Sequence, residues 1–133
     1  MKTLVRFTLV SLMLSVMMLS ASPAFSAQAM QMWKCEMDDD ATEDEVNGIA
    51  REWLKAAKGM KGGDKLEAFV YWPVAVNDTG ESDFFFVVVA PSFEEWGKFW
   101  DGYKGSPAAQ VDNGSVDKVD CPDSAVWESI KVE

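Results

Sequence analysis

Three kinds of apolar pattern follow one another along the chain. Val46, Ile49, Trp53, Ala57 and Met60 return at helical spacing. They follow Thr42-Glu43-Asp44-Glu45, a capping box in which Thr42 accepts from the Glu45 amide while Glu45 reaches back. Lys55 and Lys58 fall in the last turns and Gly59 with Gly62-Gly63 ends the run, which predicts an amphipathic helix of about four turns. Ser92-Phe93-Glu94-Glu95, directly after Pro91, reads as a second capping box. Phe93, Trp96, Phe99, Trp100 and Tyr103 then mark a second helix that stops near Gly102 or Gly105. The second pattern is the strand: residues 31–37, 66–76, 83–90 and 125–132 are rich in β-branched and aromatic side chains. Asn77-Asp78-Thr79-Gly80 is a turn signal that joins the middle two as a hairpin. Pro73 lacks an amide proton, so its strand is expected at a sheet edge. Phe84-Phe85-Phe86-Val87-Val88-Val89 has no polar residue and reads as a central strand covered on both faces. The third pattern is an unbroken apolar run from Phe7 to Leu19.

The element order βαββαβ is that of the α+β, ferredoxin-like arrangement: an antiparallel four-stranded sheet with two helices on one face, the first and third strands central. Two cysteines exclude an iron–sulfur ferredoxin. Two helices cover one face only, yet the second strand is apolar on both. Ala68, Val70, Trp72 and Val74 alternate with Phe69, Tyr71, Pro73 and Ala75. An uncovered patch of that kind favours association. A homodimer with the two sheets facing about a two-fold axis is therefore expected.

The strand at 84–90, running through Pro91-Ser92-Phe93-Glu94-Glu95-Trp96 into Phe99-Trp100 and on to Ser106-Pro107, resembles the dimeric α/β-barrel superfamily, and within it the small monooxygenases of the antibiotic-biosynthesis type. The resemblance implies a barrel built from two sheets and, in some members, cofactor-independent oxygenation of quinol-like aromatics by Asn, Trp and Tyr side chains. This chain departs from it by having no histidine after the second helix. Asn77 reads as a turn residue, Asn113 as part of a surface loop expected from Gly105 to Pro122, and Asn47 lies one position beyond the apolar stripe of the first helix.

Composition narrows the chemistry. With no His among 133 residues, Ser-His-Asp or Cys-His catalysis, His-ligated haem and HExxH zinc sites are excluded. A net charge of −10 argues against nucleic acid or an anionic membrane surface as partners. No cofactor and no metal are expected: counting an EF-hand from Asp38 puts Glu43 where glycine is needed and Ile49 where the bidentate Glu is needed. Lys2 and Arg6, the apolar run, and the small residues ending in Ala27-Gln28-Ala29 form a secretory signal peptide over residues 1–29, with cleavage after Ala29; cleavage after Ser26 is the alternative. A single domain then spans 30–133. Its 104 residues carry a net charge of −12, because the leader holds two basic residues and no acidic one. A periplasmic or secreted location follows, with no membrane contact in the mature form. In an oxidising compartment Cys35 and Cys121 are expected to form a disulfide.

If Trp33, Cys35 and Met37 face the helices, the first strand offers Met32, Lys34 and Glu36 to the opposite side, and the last strand adds Trp127, Ser129 and Lys131. With Trp72, the residues Lys34, Glu36, Trp127, Ser129 and Lys131 are the candidate ligand-binding set, a mostly apolar wall with a few fixed polar groups. The expected role is binding of a small aromatic or apolar molecule. The alternatives are a cofactor-independent monooxygenase and a purely structural or interaction module. Trp53, Trp96 and Trp100, at helical spacing, read as core.

Overall fold

In a computed structural model of the chain, residues 27–78 and 80–132 are described; the apolar run of the expected signal peptide lies outside them. Strand β1 (Gln28–Met37) leads to helix α1 (Glu43–Lys58), β2 (Glu67–Tyr71), β3 (Phe84–Ala90), α2 (Phe93–Asp101), α3 (Pro107–Gly114) and β4 (Val119–Ser129). The strands form one antiparallel sheet ordered β2-β3-β1-β4, so β1 and β3 are central and the proline-bearing segment follows an edge strand, as the α+β ferredoxin-like reading expects.

Local chemistry accounts for the helix ends. The Thr42 amide donates to Glu45 Oε2 at 2.8 Å and the Glu45 amide to Thr42 Oγ1 at 3.3 Å. The backbone hydrogen bond from Thr42 holds the Glu45 carboxyl below its ordinary range. At α2 only half of the expected box forms. Ser92 Oγ accepts from the Glu95 amide at 3.2 Å, while the Glu95 carboxylate turns to Lys98 Nζ at 2.7 Å. A charged partner one turn ahead outcompetes a backbone amide.

Four expectations are corrected. The second strand ends at Tyr71, not at residue 76, because Pro73 cannot donate to the ladder; a long connection replaces the tight hairpin. The segment after Gly105 is not all surface loop. Ser106 caps α3 by accepting from the Ala109 amide at 3.1 Å, Pro107 takes the first turn, and Ala108 and Ala109 are buried. Three helices, not two, therefore lie on the covered face. β4 begins at Val119, six residues earlier than expected, with a register shift against β1 between Lys34 and Glu36. β1 begins at Gln28, three residues earlier than expected, with Ala29 fully buried and paired with Ala90 and Glu128.

Cys35 and Cys121 are joined in a disulfide across these two strands, their Cα atoms 4.1 Å apart. On the helix side the buried residues form two groups. One holds Ala29, Trp53, Ala57, Leu66, Val88, Ala90, Phe99 and Ala108; the other holds Cys35, Val46 and Phe84. Trp33 and Phe86 pack against both. The opposite face of the sheet has no covering layer among the described residues, and there Phe69, Tyr71 and Trp127 are 40, 47 and 54% exposed.

Candidate functional site

Between the two buried groups the sheet and the helices do not close, and a cleft of about 380 Å³ remains. Its floor is the helix-facing side of the sheet, with Gln31 and Trp33 of β1, Val70 of β2, and Phe84 and Phe86 of β3. Val46, Ile49, Ala50 and Trp53 of α1 form one wall, and Trp100 of α2 with Tyr103 just beyond it forms a second. The C-terminal end of α3 and the start of β4 complete the rim with Asp112, Ser115, Val119, Asp120 and Cys121.

Aromatic rings make this lining continuous. Trp33 lies 5.7 Å from Trp100 and 5.8 Å from Phe86, Trp53 meets Phe86 edge-on at 5.3 Å, and Trp100 lies 4.5 Å from Tyr103. A polar chain runs along one side: Trp53 Nε1 donates to Tyr103 OH at 3.0 Å, and Tyr103 OH donates to Asp112 Oδ2 at 3.2 Å. Burial pushes the Tyr103 phenol up to about 12; the Trp53 donor opposes this and the Asp112 carboxylate adds to it. Tyr103 is thus a neutral donor over the physiological range. Gln31 is fixed at both ends of its amide, accepting from Trp96 Nε1 at 3.0 Å and donating to Ser124 Oγ at 3.4 Å. Trp100 Nε1 is buried without a hydrogen-bond partner among the described residues.

The residues proposed from sequence do not meet here. Lys34, Glu36, Trp127 and Ser129 share the open face, where Lys34 pairs in register with Asp123, Glu36 with Asp120, Trp127 with Met30 and Ser129 with Gln28. Lys131 lies past the end of β4. Trp72 is on the other side of the sheet, packed against Phe84 at 4.8 Å, its Nε1 donating to Asn47 Oδ1 at 3.2 Å. Trp53 and Trp100 do pack in the core, but they also line the cleft. Sequence reasoning misses Tyr103, Asp112 and Ser115 as site residues because the segment carrying the last two reads as a loop. Ser106-Pro107-Ala108-Ala109, a cap followed by a first-turn proline, is the signal that could have found them. Among the described residues no three acidic or cysteine side chains converge to hold a metal, and no helix is long and apolar enough to cross a membrane.

No protein-family model matches the chain, and no curated protein does. Solved structures do resemble it. A dimeric ferredoxin-like protein of unknown function from Thermobifida fusca aligns with a TM-score of 0.50 at 11% identity, covering 80% of this chain and 92% of its own. A dimeric protein of unknown function and ferredoxin-like fold from Bacteroides fragilis NCTC 9343 aligns with a TM-score of 0.41 at 9% identity, covering 79% of this chain and 95% of its own. At these identities the likeness establishes the ferredoxin-like fold and nothing about activity.

Proposed function

We propose that the chain is an exported, homodimeric protein that holds one small, largely apolar or aromatic molecule in the cleft of each protomer without carrying out chemistry on it. The observation that carries this reading is the cleft itself. Domain interiors are close-packed, and unfilled space costs stability. An opening of about 380 Å³ lined by aromatic rings is in the range of small-molecule sites, and it favours ligand binding over a filled structural core. Binding is favoured over catalysis by the state of its reactive groups: Cys121 is held in the disulfide, and Tyr103 is a neutral phenol hydrogen-bonded to Asp112.

The homodimer rests on the open face. Burying Phe69, Tyr71 and Trp127 against a second copy would remove three large exposed side chains from water at once. The same fold in Thermobifida fusca is dimeric. In that arrangement Lys34, Glu36 and Ser129 lie at the interface and not in the ligand site. Export is supported by the disulfide, which needs an oxidising compartment.

Native mass spectrometry of protein purified from its own host tests binding and assembly together. The expected spectrum is a dimer carrying one small molecule per protomer that is released on denaturation. A ligand-free protein whose tryptophan fluorescence no aromatic compound alters would overturn the binding reading. Monomers in sedimentation at micromolar concentration would overturn the dimer. Oxygen uptake with a panel of quinols should give a flat trace, and turnover would instead establish the monooxygenase alternative.

A further inference from the structure

The cleft also carries a charge signature, whose meaning for an occupant rests on the ligand-binding reading proposed for that site. Its rim bears the Asp112 carboxylate and no Lys or Arg lines it; Asp120 lies at the rim too, but its pairing with Glu36 turns its side chain to the open face of the sheet. α3 ends at the cleft: Asp112 lies in its last turn and Ser115 is its C-cap, and both are lining residues. The terminal carbonyls of a helix carry partial negative charge. Ser115 takes up one of them, donating through its amide and Oγ to the Asp112 carbonyl. Trp33, Trp53, Trp100 and Tyr103 line the walls, and an aromatic face turned to an occupant presents the negative side of its quadrupole. The Asp112 carboxylate, the helix end and the aromatic lining thus favour a positive occupant.

We propose that the cleft takes an organic ammonium ion, a tertiary or quaternary amine attached to an apolar or aromatic body. A quaternary nitrogen carries no N–H to satisfy, so aromatic faces can replace its hydration while the Asp112 carboxylate at the rim balances its charge. An anionic ligand would meet only like charge, and a neutral one would gain from the rings but not from Asp112.

The test titrates the intact, disulfide-bonded protein with benzyltrimethylammonium, with neopentylbenzene as its neutral isostere and with benzenesulfonate, reading tryptophan fluorescence and calorimetric heat. The cation should bind about tenfold more tightly than the isostere, as one cation–π site with carboxylate support implies. Benzenesulfonate should not bind. Raising the salt concentration should weaken the cation alone. Asp112→Asn keeps an acceptor for Tyr103, and Asp112 and Asp120 are both exposed enough for substitution to leave folding intact. Asp112→Asn should weaken the cation several-fold and leave the isostere unchanged, whereas Asp120→Asn, on the open face of the sheet, should leave both unchanged. Equal affinities for cation and isostere, or equal losses for both in Asp112→Asn, would overturn the charge assignment while the ligand site stands. Failure of both probes to bind would overturn the ligand site itself.

Discussion

Replacing Cys35 and Cys121 together by alanine removes the covalent tie between β1 and β4. The bond spans 86 residues of sequence, so it acts chiefly on the unfolded chain, which loses most of the separations those two positions could otherwise sample. In the chain-entropy model a closed loop of that length is worth about 4.6 kcal/mol at 25 °C. The folded state changes less. β1 and β4 remain paired from Gln28 with Ser129 to Lys34 with Asp123 and again from Glu36 with Asp120, and loss of the buried Cys35 sulfur leaves only a small void worth about 1 kcal/mol. Domains of this size have about 5–15 kcal/mol in all, so the tie is a large share of the total. The midpoint of thermal unfolding should fall by about 20–35 °C. Urea unfolding followed by tryptophan fluorescence, on oxidised protein, reduced protein and the double variant, separates the contributions. Oxidised and reduced protein should differ by about 4–5 kcal/mol, the reduced form showing the steeper denaturant dependence of a less restricted unfolded state. The variant should lie within about 1 kcal/mol of the reduced protein. A gap between oxidised and reduced protein under about 1 kcal/mol would refute the loop-entropy reasoning.

Tyr103 makes stability depend on alkaline pH. Its phenol titrates near 10 when unfolded and about 12 when folded, so between those values the folded state keeps a proton that the unfolded state has lost; stability is full below pH 10 and falls as pH rises toward 12. Discounted for partial exposure, the loss is about 1 kcal/mol, and Tyr103→Phe should abolish it, which urea midpoints at pH 9 and 11.5 would check. Gly62 has φ +79°, and a Cβ there would sit 2.6 Å from the Glu95 carbonyl oxygen and 2.8 Å from the Phe99 nitrogen, both backbone atoms. Gly62→Ala should therefore cost about 3 kcal/mol, whereas Gly80→Ala, at φ +67° in open space, should cost only about 1; equal costs in chemical denaturation would contradict the close approach. If the leader is removed, the buried, strand-paired Ala29 requires the cut to precede Gln28, so the intact mass of exported protein should match an Ala27 N-terminus, against a Met30 terminus if the strand tolerates truncation.

Much of the architecture is legible in the sequence because its causes are local. Caps at Thr42 and Ser92, terminal glycines, the unbroken apolar stretch 84–89 and the missing amide of Pro73 each act within one turn or one ladder step. They suffice to order the elements, to separate central strands from the edge and to leave one sheet face uncovered. The segments that sequence misreads depend on partners remote along the chain. α3 is short and its Asp, Asn, Gly and Ser look like loop residues; it becomes a helix because Ala108 and Ala109 find a buried place against α1 and the core. Residues 119–124 contain Pro122 and polar neighbours, yet they pair with β1, since an edge strand needs hydrogen bonds on one side only and the disulfide anchors it there.

The sequence by itself determined the βαββαβ order apart from α3, and the unpartnered face, because periodicity, capping and turn chemistry are short-range effects; the pairing of Cys35 with Cys121 was legible because the chain has only two cysteines. Only the tertiary structure decided where a ligand could sit. The cleft draws Gln31, Val46, Phe86, Trp100, Asp112 and Cys121 from six elements, and it exists because those elements, each well packed against its neighbours, leave space between two buried clusters. That gap is a property of their joint packing, which no single segment encodes.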